Sequence, residues 1–334
     1  MTQLLLRSRR QVLGGFGALA AAALLPTVRA RAEAAANAES VSPPWQLGLQ
    51  LYTLEDAPAK DLIGTLKEVA GIGYRTVQIS QTYGQSAQQL RRALDQTGLS
   101  CPAIHVLPRP ATNSWDLEGD MSRLADDIYT LGATYAVVPA PRYSDALVDA
   151  LNHPPPGGFN AEKLFGLLKF MGADDWKRTA DLMNEKAEIL ARSGIRVGYH
   201  NHGFDFVPVA NGKSGYDILL ERTDPKLVDL ELDIGWAVSA GQDVKALFRR
   251  ANGRIRTLHI KDTAKVSSNP MDLASTDVGT GIVNWREVFG LIRETRVRYL
   301  FVEQEAPWVN TSPMKAARVA YAYISKQFGH AASR

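Results

Sequence analysis

Eight short runs rich in β-branched and aromatic residues recur along this chain, and stretches of helical periodicity separate them; few folds accept that cadence. The runs cover residues 47–52, 76–79, 101–106, 136–139, 196–200, 228–233, 255–260 and 299–303. Between them, the helical stretches 61–72, 87–97 and 176–193 are each stopped by a glycine, Gly73, Gly98 and Gly194. Strand and helix in such alternation predict an α/β fold, a closed parallel (β/α)8 TIM barrel, over residues 46–330. An open doubly wound sheet would want a Gly-x-Gly-x-x-Gly turn after an early strand, and none stands there. The longest gap between strands contains Pro154-Pro155-Pro156-Gly157-Gly158, so residues 152–160 read as an irregular loop on the rim.

The first 32 residues obey a different logic. Ser8-Arg9-Arg10-Gln11-Val12-Leu13 precedes an uncharged, Gly- and Ala-rich stretch and then Ala30-Arg31-Ala32, the pattern of a twin-arginine export signal cleaved after Ala32. Its apolar run of about 15 residues falls short of the roughly 20 needed to cross a bilayer. The expectation is a periplasmic or secreted protein with no stable membrane anchor, a linker over 33–45, and a fold, or a homo-oligomer, assembled before export. Removing the five arginines of that segment takes the formal charge from +3 to −2, so the remainder has no basic excess to suggest a nucleic-acid partner. Cys101 is the only cysteine, which excludes an intrachain disulfide and a thiolate metal site. Any metal must be held by His, Asp and Glu.

Those residue types gather at the ends of the last four strands. Strand five ends in His200-Asn201-His202, strand six in Glu231-Leu232-Asp233, strand seven in His259-Ile260-Lys261 and strand eight in Glu303-Gln304-Glu305. Side chains alternate along a strand, so each outer pair shares a face. The C-terminal rim is where such barrels build their active sites. Ionisable groups crowded there without a ligand would be costly, and four adjacent strand ends favour one divalent metal on His200, Asp233, His259 and Glu303. His200 and His202 compete for the strand-five place, with His200 preferred. His105 ends strand three as a substrate contact or a packing residue, and Tyr52, Trp236 and Trp308 offer rings to a sugar or to the core.

The run Gly198-Tyr199-His200-Asn201-His202-Gly203-Phe204-Asp205-Phe206, the segment Glu231-Leu232-Asp233-Ile234-Gly235-Trp236, the run Leu258-His259-Ile260-Lys261-Asp262 behind Gly253-Arg254, and Val302-Glu303-Gln304-Glu305 resemble the sugar isomerase/epimerase branch of the xylose isomerase-like barrels. The resemblance covers roughly residues 47–327. It implies a divalent metal, manganese by preference with zinc, cobalt or magnesium as alternatives, on a Glu, an Asp, a His and a Glu from strands five to eight. Asp233, His259 and Glu303 match the last three. Where many relatives read Glu-Asn-His this chain reads His200-Asn201-His202, and Gln78 stands where an acid is common.

The implied activity is sugar isomerisation or epimerisation by deprotonation beside the carbonyl of a keto-sugar. In that reading Glu303 is the base, Lys261, His105 and His202 relay protons or steady the oxyanion, and His105, Tyr52, Trp236 and Glu305 contact the carbohydrate. Epimerases of the family set two metal-bound glutamates on opposite faces of one carbon, and only Glu303 matches here. That departure leaves a second reading open: a lyase or hydrolase expelling the aglycone of a 3-keto-glycoside. A third is a sugar-binding barrel without catalysis. An apurinic endonuclease of the same fold would need more histidines at its rim than this chain supplies.

Overall fold

The computed structural model describes residues 45–328 apart from 294, 307, 309 and 310, so the export signal and nearly all of the linker lie outside the described residues. Eight parallel strands close on themselves: β1 (Gln46–Gln50), β2 (Thr76–Ile79), β3 (Ser100–Leu107), β4 (Tyr135–Val138), β5 (Arg196–His200), β6 (Val228–Asp233), β7 (Ile255–Ile260) and β8 (Tyr299–Val302). Each pairs with its successor, and β8 returns to β1 through Leu47 opposite Leu300 and Leu49 opposite Val302. The crossovers carry helices α1 (Leu62–Ile72), α2 (Ala87–Thr97), α3 (Met121–Leu131), α4 (Ala173–Ala191), α5 (Gly215–Arg222), α6 (Val244–Ala251) and α7 (Trp285–Ile292), and α8 (Pro313–Phe328) follows β8. This is the expected (β/α)8 barrel. Among the described residues no helix is long and apolar enough to cross a membrane.

Local chemistry sets the boundaries. Helix α2 opens on a reciprocal cap, with Ser86 Oγ accepting from Gln89 N–H and Gln89 accepting from Ser86 N–H, and closes on Gly98 at φ 68°. Strand β1 is shorter than the 47–52 run: Gln50 Oε1 accepts from Tyr52 N–H at 3.2 Å and turns Leu51–Leu54 into a 3-10 segment. Tyr52 therefore leaves the barrel wall and is 54% exposed. Strand β8 likewise stops at Val302, with Glu303 just beyond it. Helices Asp145–Asn152 and Ala161–Leu167 flank the proline-rich loop of the long gap.

The alternation of β6 shows how the barrel is filled. Val228, Leu230 and Leu232 join the large apolar core, whereas Asp229, Glu231 and Asp233 take the other face and are also buried. Below the site Ala103, Val137 and Phe301 form a separate apolar cluster with Tyr135 and Tyr299. Backbone comes close there, since a Cβ on Gly48 would meet Thr76 Oγ1 at 2.4 Å and Phe301 Cδ1 at 2.8 Å. A packed plug thus closes the barrel beneath the polar residues.

Candidate metal centre

Strand register brings the expected ligands together. His200 lies opposite Glu231, and His259 opposite Asp233, across neighbouring strands. His200, Asp233, His259 and Glu303 each offer one atom, and these atoms lie within 4.8 Å of one another, all buried. His200 Nε2 is 3.9 Å and His259 Nδ1 3.7 Å from Asp233 Oδ2, while His259 Nδ1 is 2.7 Å from Glu303 Oε2. A tetrahedral cation with bonds of about 2.0–2.2 Å sets its donors roughly 3.3–3.6 Å apart, so small side-chain adjustments would suffice. Asp233 Oδ2 is enclosed and accepts no hydrogen bond. Lys261 Nζ stands 3.0 Å from it as a charged neighbour, outside hydrogen-bond geometry. A buried carboxylate oxygen left open beside three other donors fits a cation site, and two nitrogens with two oxygens suit a divalent metal.

The rest of Asp233 is held firmly. Its Oδ1 accepts from Trp236 N–H at 2.8 Å, capping the helix Ile234–Ser239. Asn201 clamps its backbone, Oδ1 accepting from Asp233 N–H at 2.9 Å and Nδ2 donating to Asp233 O at 3.2 Å. Gly235 lets that helix press on β7, for a Cβ there would meet Lys261 O at 2.7 Å.

Lys261 is wholly buried and is the hub of the rim charges. Its Nζ is 2.7 Å from Glu303 Oε2 and pairs tightly with Glu305 Oε1. Burial alone would lower its pKa, but Asp233, Glu303 and Glu305 outweigh burial and hold it well above the ordinary value. Glu303, against the opposing effect of burial, is held well below the usual carboxylate range by Lys261 and His259. Glu305 also accepts from Trp236 Nε1 at 3.2 Å, and its side chain keeps 25% exposure.

Beneath these residues lies a layer that strand-end reasoning left without a role. Glu231 Oε1 is 3.1 Å from His105 Nε2, 3.2 Å from His200 Nδ1 and 3.1 Å from His259 Nε2. Its Oε2 accepts from Gln78 Nε2 at 2.8 Å, and Gln50 Nε2 donates to Gln78 Oε1 at 2.8 Å. His259 Nε2 also lies 2.6 Å from Gln78 Oε1. The signal was present as an acid two residues before Asp233 on one strand face, but a single strand does not reveal how deep each residue sits. His105, Glu231, His200 and His259 form a second group of possible metal donors, sharing two residues with the first.

The two shared histidines titrate in opposite directions. Burial, aided by His259, lowers His200 to about 4; His259 is raised to about 10 because Glu231 and Glu303 overcome its burial. His202 sits beside this set but outside it, its ring 4.8 Å from His200 and stacked on Phe204 at 5.7 Å. Its Nδ1 is enclosed without a partner, and burial, with His200 and Lys261 adding to it, keeps its pKa well below the ordinary value.

Of the other expected contacts, Tyr52 and Glu305 line a rim cavity of about 440 Å³ together with Gln304 and Trp308. Trp236 is 6% exposed, packed 5.6 Å from the His202 ring and 5.7 Å from Lys261 Nζ, so it braces the charged cluster instead of offering an open platform. His105 is 7% exposed and turned to Glu231.

Comparison with known proteins agrees with this architecture. Inosose dehydratase of Geobacillus kaustophilus (strain HTA426) is 25% identical over 288 residues, covering 79% of this chain and 87% of the relative. The crystal structure of a sugar phosphate isomerase/epimerase from Parabacteroides distasonis ATCC 8503 superposes with a TM-score of 0.65 at 22% identity, covering 87% of this chain and 97% of that one. The IolI protein with a bound zinc atom superposes with a TM-score of 0.58 at 16% identity, over 84% and 97% of the two chains. The family model described as xylose isomerase-like TIM barrel matches residues 66–326, and the chain belongs to that family.

Proposed function

We propose that this chain is a divalent-metal lyase that removes a proton beside the carbonyl of a keto-sugar or keto-cyclitol and expels an oxygen substituent from the next carbon. The observation that carries the reading is a carboxylate and an ammonium side by side, Glu303 Oε2 and Lys261 Nζ at 2.7 Å, next to the open Asp233 oxygen. Epimerisation wants two bases on opposite faces of one carbon. Elimination can instead use a base and an acid that reach the same face of the ring. The relatives named inosose dehydratase support it, since a dehydration is such an elimination. The neighbour named sugar phosphate isomerase/epimerase supports the shared first step, deprotonation beside a carbonyl.

His200, Asp233, His259 and Glu303 would hold the cation. Bound there, it would polarise the substrate carbonyl and stabilise negative charge on its oxygen. Glu303 takes the α-proton, and the electrons of the C–H bond form the new C=C bond as the C–O bond to the leaving group breaks. Lys261 gives its proton to the departing oxygen. The proton on Glu303 then returns to Lys261 across their 2.7 Å contact, restoring both groups. Tyr52 and Glu305, on the wall of the rim cavity, contact the remainder of the substrate, and His202 packs on Trp236, whose indole donates to Glu305.

The test is product analysis in deuterated water with manganese, using a keto-cyclitol and a set of 3-keto-glycosides. The expected result is an α,β-unsaturated ketone with one equivalent of water or aglycone released. Accumulation of an epimer carrying solvent deuterium, with no leaving group released, would restore the isomerase/epimerase reading and overturn this one.

A further inference from the structure

We infer that Glu231 is the positioning carboxylate of the metal centre: by taking the inward nitrogens of His200 and His259, it fixes which nitrogen each ring presents to the cation. The inference rests on the ligand set proposed above.

The two rings meet Glu231 through different atoms. His200 turns Nδ1 to Glu231 Oε1 at 3.2 Å, which leaves Nε2 on the side of Asp233 Oδ2. His259 also turns Nε2 inward, hydrogen-bonded to Gln78 Oε1 at 2.6 Å with Glu231 Oε1 3.1 Å away, which leaves Nδ1 on the side of Asp233 Oδ2 and Glu303 Oε2. A neutral imidazole carries one N–H, and an ionised carboxylate accepts but cannot donate. Glu231 Oε1 faces ring nitrogens of His105, His200 and His259 and its Oε2 accepts from Gln78 Nε2, so donors surround the carboxylate and it serves as an acceptor. With a cation at the upper set, each ring would keep its inward proton and turn a lone pair toward the Asp233 oxygen, His259 giving up the Nδ1 proton that otherwise faces Glu303 Oε2. His259 would bind through Nδ1 and His200 through Nε2, an asymmetry that the ring positions alone would not dictate. A carboxylate behind a ligating imidazole also raises its basicity.

Glu231 is itself rigidly set. Gln78 Nε2 donates to its second oxygen at 2.8 Å, and Gln50 in turn donates to Gln78. The network draws on β1, β2, β3 and β6, so opposite walls of the barrel hold one carboxylate. The alternative role is that of a direct ligand, with the cation one layer deeper among His105, Glu231, His200 and His259. The two arrangements use opposite nitrogens of the shared rings, and occupying both at once would require each ring to bridge two cations as an imidazolate. Asp233 Oδ2 is the enclosed oxygen without a hydrogen bond, whereas both Glu231 oxygens are engaged, which favours the upper site.

Nitrogen-15 spectra of the imidazoles in the zinc-loaded wild-type protein decide the matter without any variant. The expected pattern is a protonated Nδ1 on His200, a protonated Nε2 on His259, and zinc on the other nitrogen of each. Zinc on His259 Nε2 or on His200 Nδ1 overturns the assignment. Zinc affinity by chelator competition adds a second reading. Glu231→Gln is expected to weaken binding by about 10–100-fold while one ion still binds per chain, and unchanged affinity would overturn the role. His105→Ala should leave stoichiometry at one; loss of the ion there would place the cation in the deeper set. Should the Glu231 variant fail to fold, the wild-type spectra still decide.

Discussion

Glu303 and Glu305 leave the same strand two residues apart and both meet Lys261, yet their surroundings separate their roles. Glu303 has a 5% exposed side chain and shares its Oε2 with His259 and Lys261; Glu305 is 25% exposed and lines the rim cavity. A base that also holds metal should lose both functions in part when neutralised. Glu303→Gln is therefore expected to cut solvent-deuterium exchange by about 10²–10⁴-fold while metal content, measured on the same sample, falls less steeply. Glu305→Gln should retain its metal and lose substrate affinity first. A Glu303→Gln protein with full metal and wild-type exchange, beside an inert Glu305→Gln, would reverse the two assignments. The rim residues were legible because metal-binding types at consecutive strand ends are rare by chance. Glu231 was equally visible yet went without a role, because period-two alternation assigns a face and says nothing of depth.

At the scale of elements, the turn that carries His202 away from β5 rests on one buried acid. Asp205 Oδ2 accepts from His202 N–H at 2.9 Å and from Tyr199 O–H at 3.1 Å, while its Oδ1 is enclosed without a partner. Burial raises its pKa to about 8 despite those two bonds. An acid whose folded pKa exceeds its unfolded value of roughly 3.9 binds a proton more tightly in the native state, so stability declines as pH rises from about 4 to about 8. Asparagine keeps an accepting oxygen and cannot ionise. Asp205→Asn should remove that part of the decline, read from denaturant unfolding at pH 5 and pH 8; a variant whose stability changes between the two as much as the wild type does would refute the account. In the sequence Gly203-Phe204-Asp205-Phe206 stood only as part of a family-like run, and the turn itself was not read there. Its energetics were not legible either, since they arise from Tyr199 and His202 closing over the carboxylate. The same limit misplaced the end of β1, where Gln50 bonds back to Tyr52 N–H and ends a run that is apolar enough to continue.

For the whole molecule, closure of the barrel was foreseeable from alternating elements and capping glycines, whereas how far the centre supports the fold follows only from where its charges meet. His200, Asp233, His259 and Glu303 come from β5, β6, β7 and the end of β8, so a bound cation would tie together half of the barrel wall. Without it, Lys261 and His259 already offset the carboxylates, at 2.7 Å each from Glu303. Unpaired buried charge would cost several kcal/mol per ion, and this pairing should let the metal-free chain fold. Binding to the native state alone then adds stability by mass action, about 2.7 kcal/mol at a free metal concentration one hundred times Kd. For a domain of this size that corresponds to roughly 4–5 °C in Tm. Thermal unfolding of chelator-treated protein should therefore show a cooperative transition that climbs with added manganese or zinc in proportion to the logarithm of free metal. In Asp233→Asn the climb should shrink, because the open oxygen that completes the donor set has lost its charge. A Tm that ignores saturating metal in the wild type would mean that no ion ties these four strands, and the lyase proposal would fall with it.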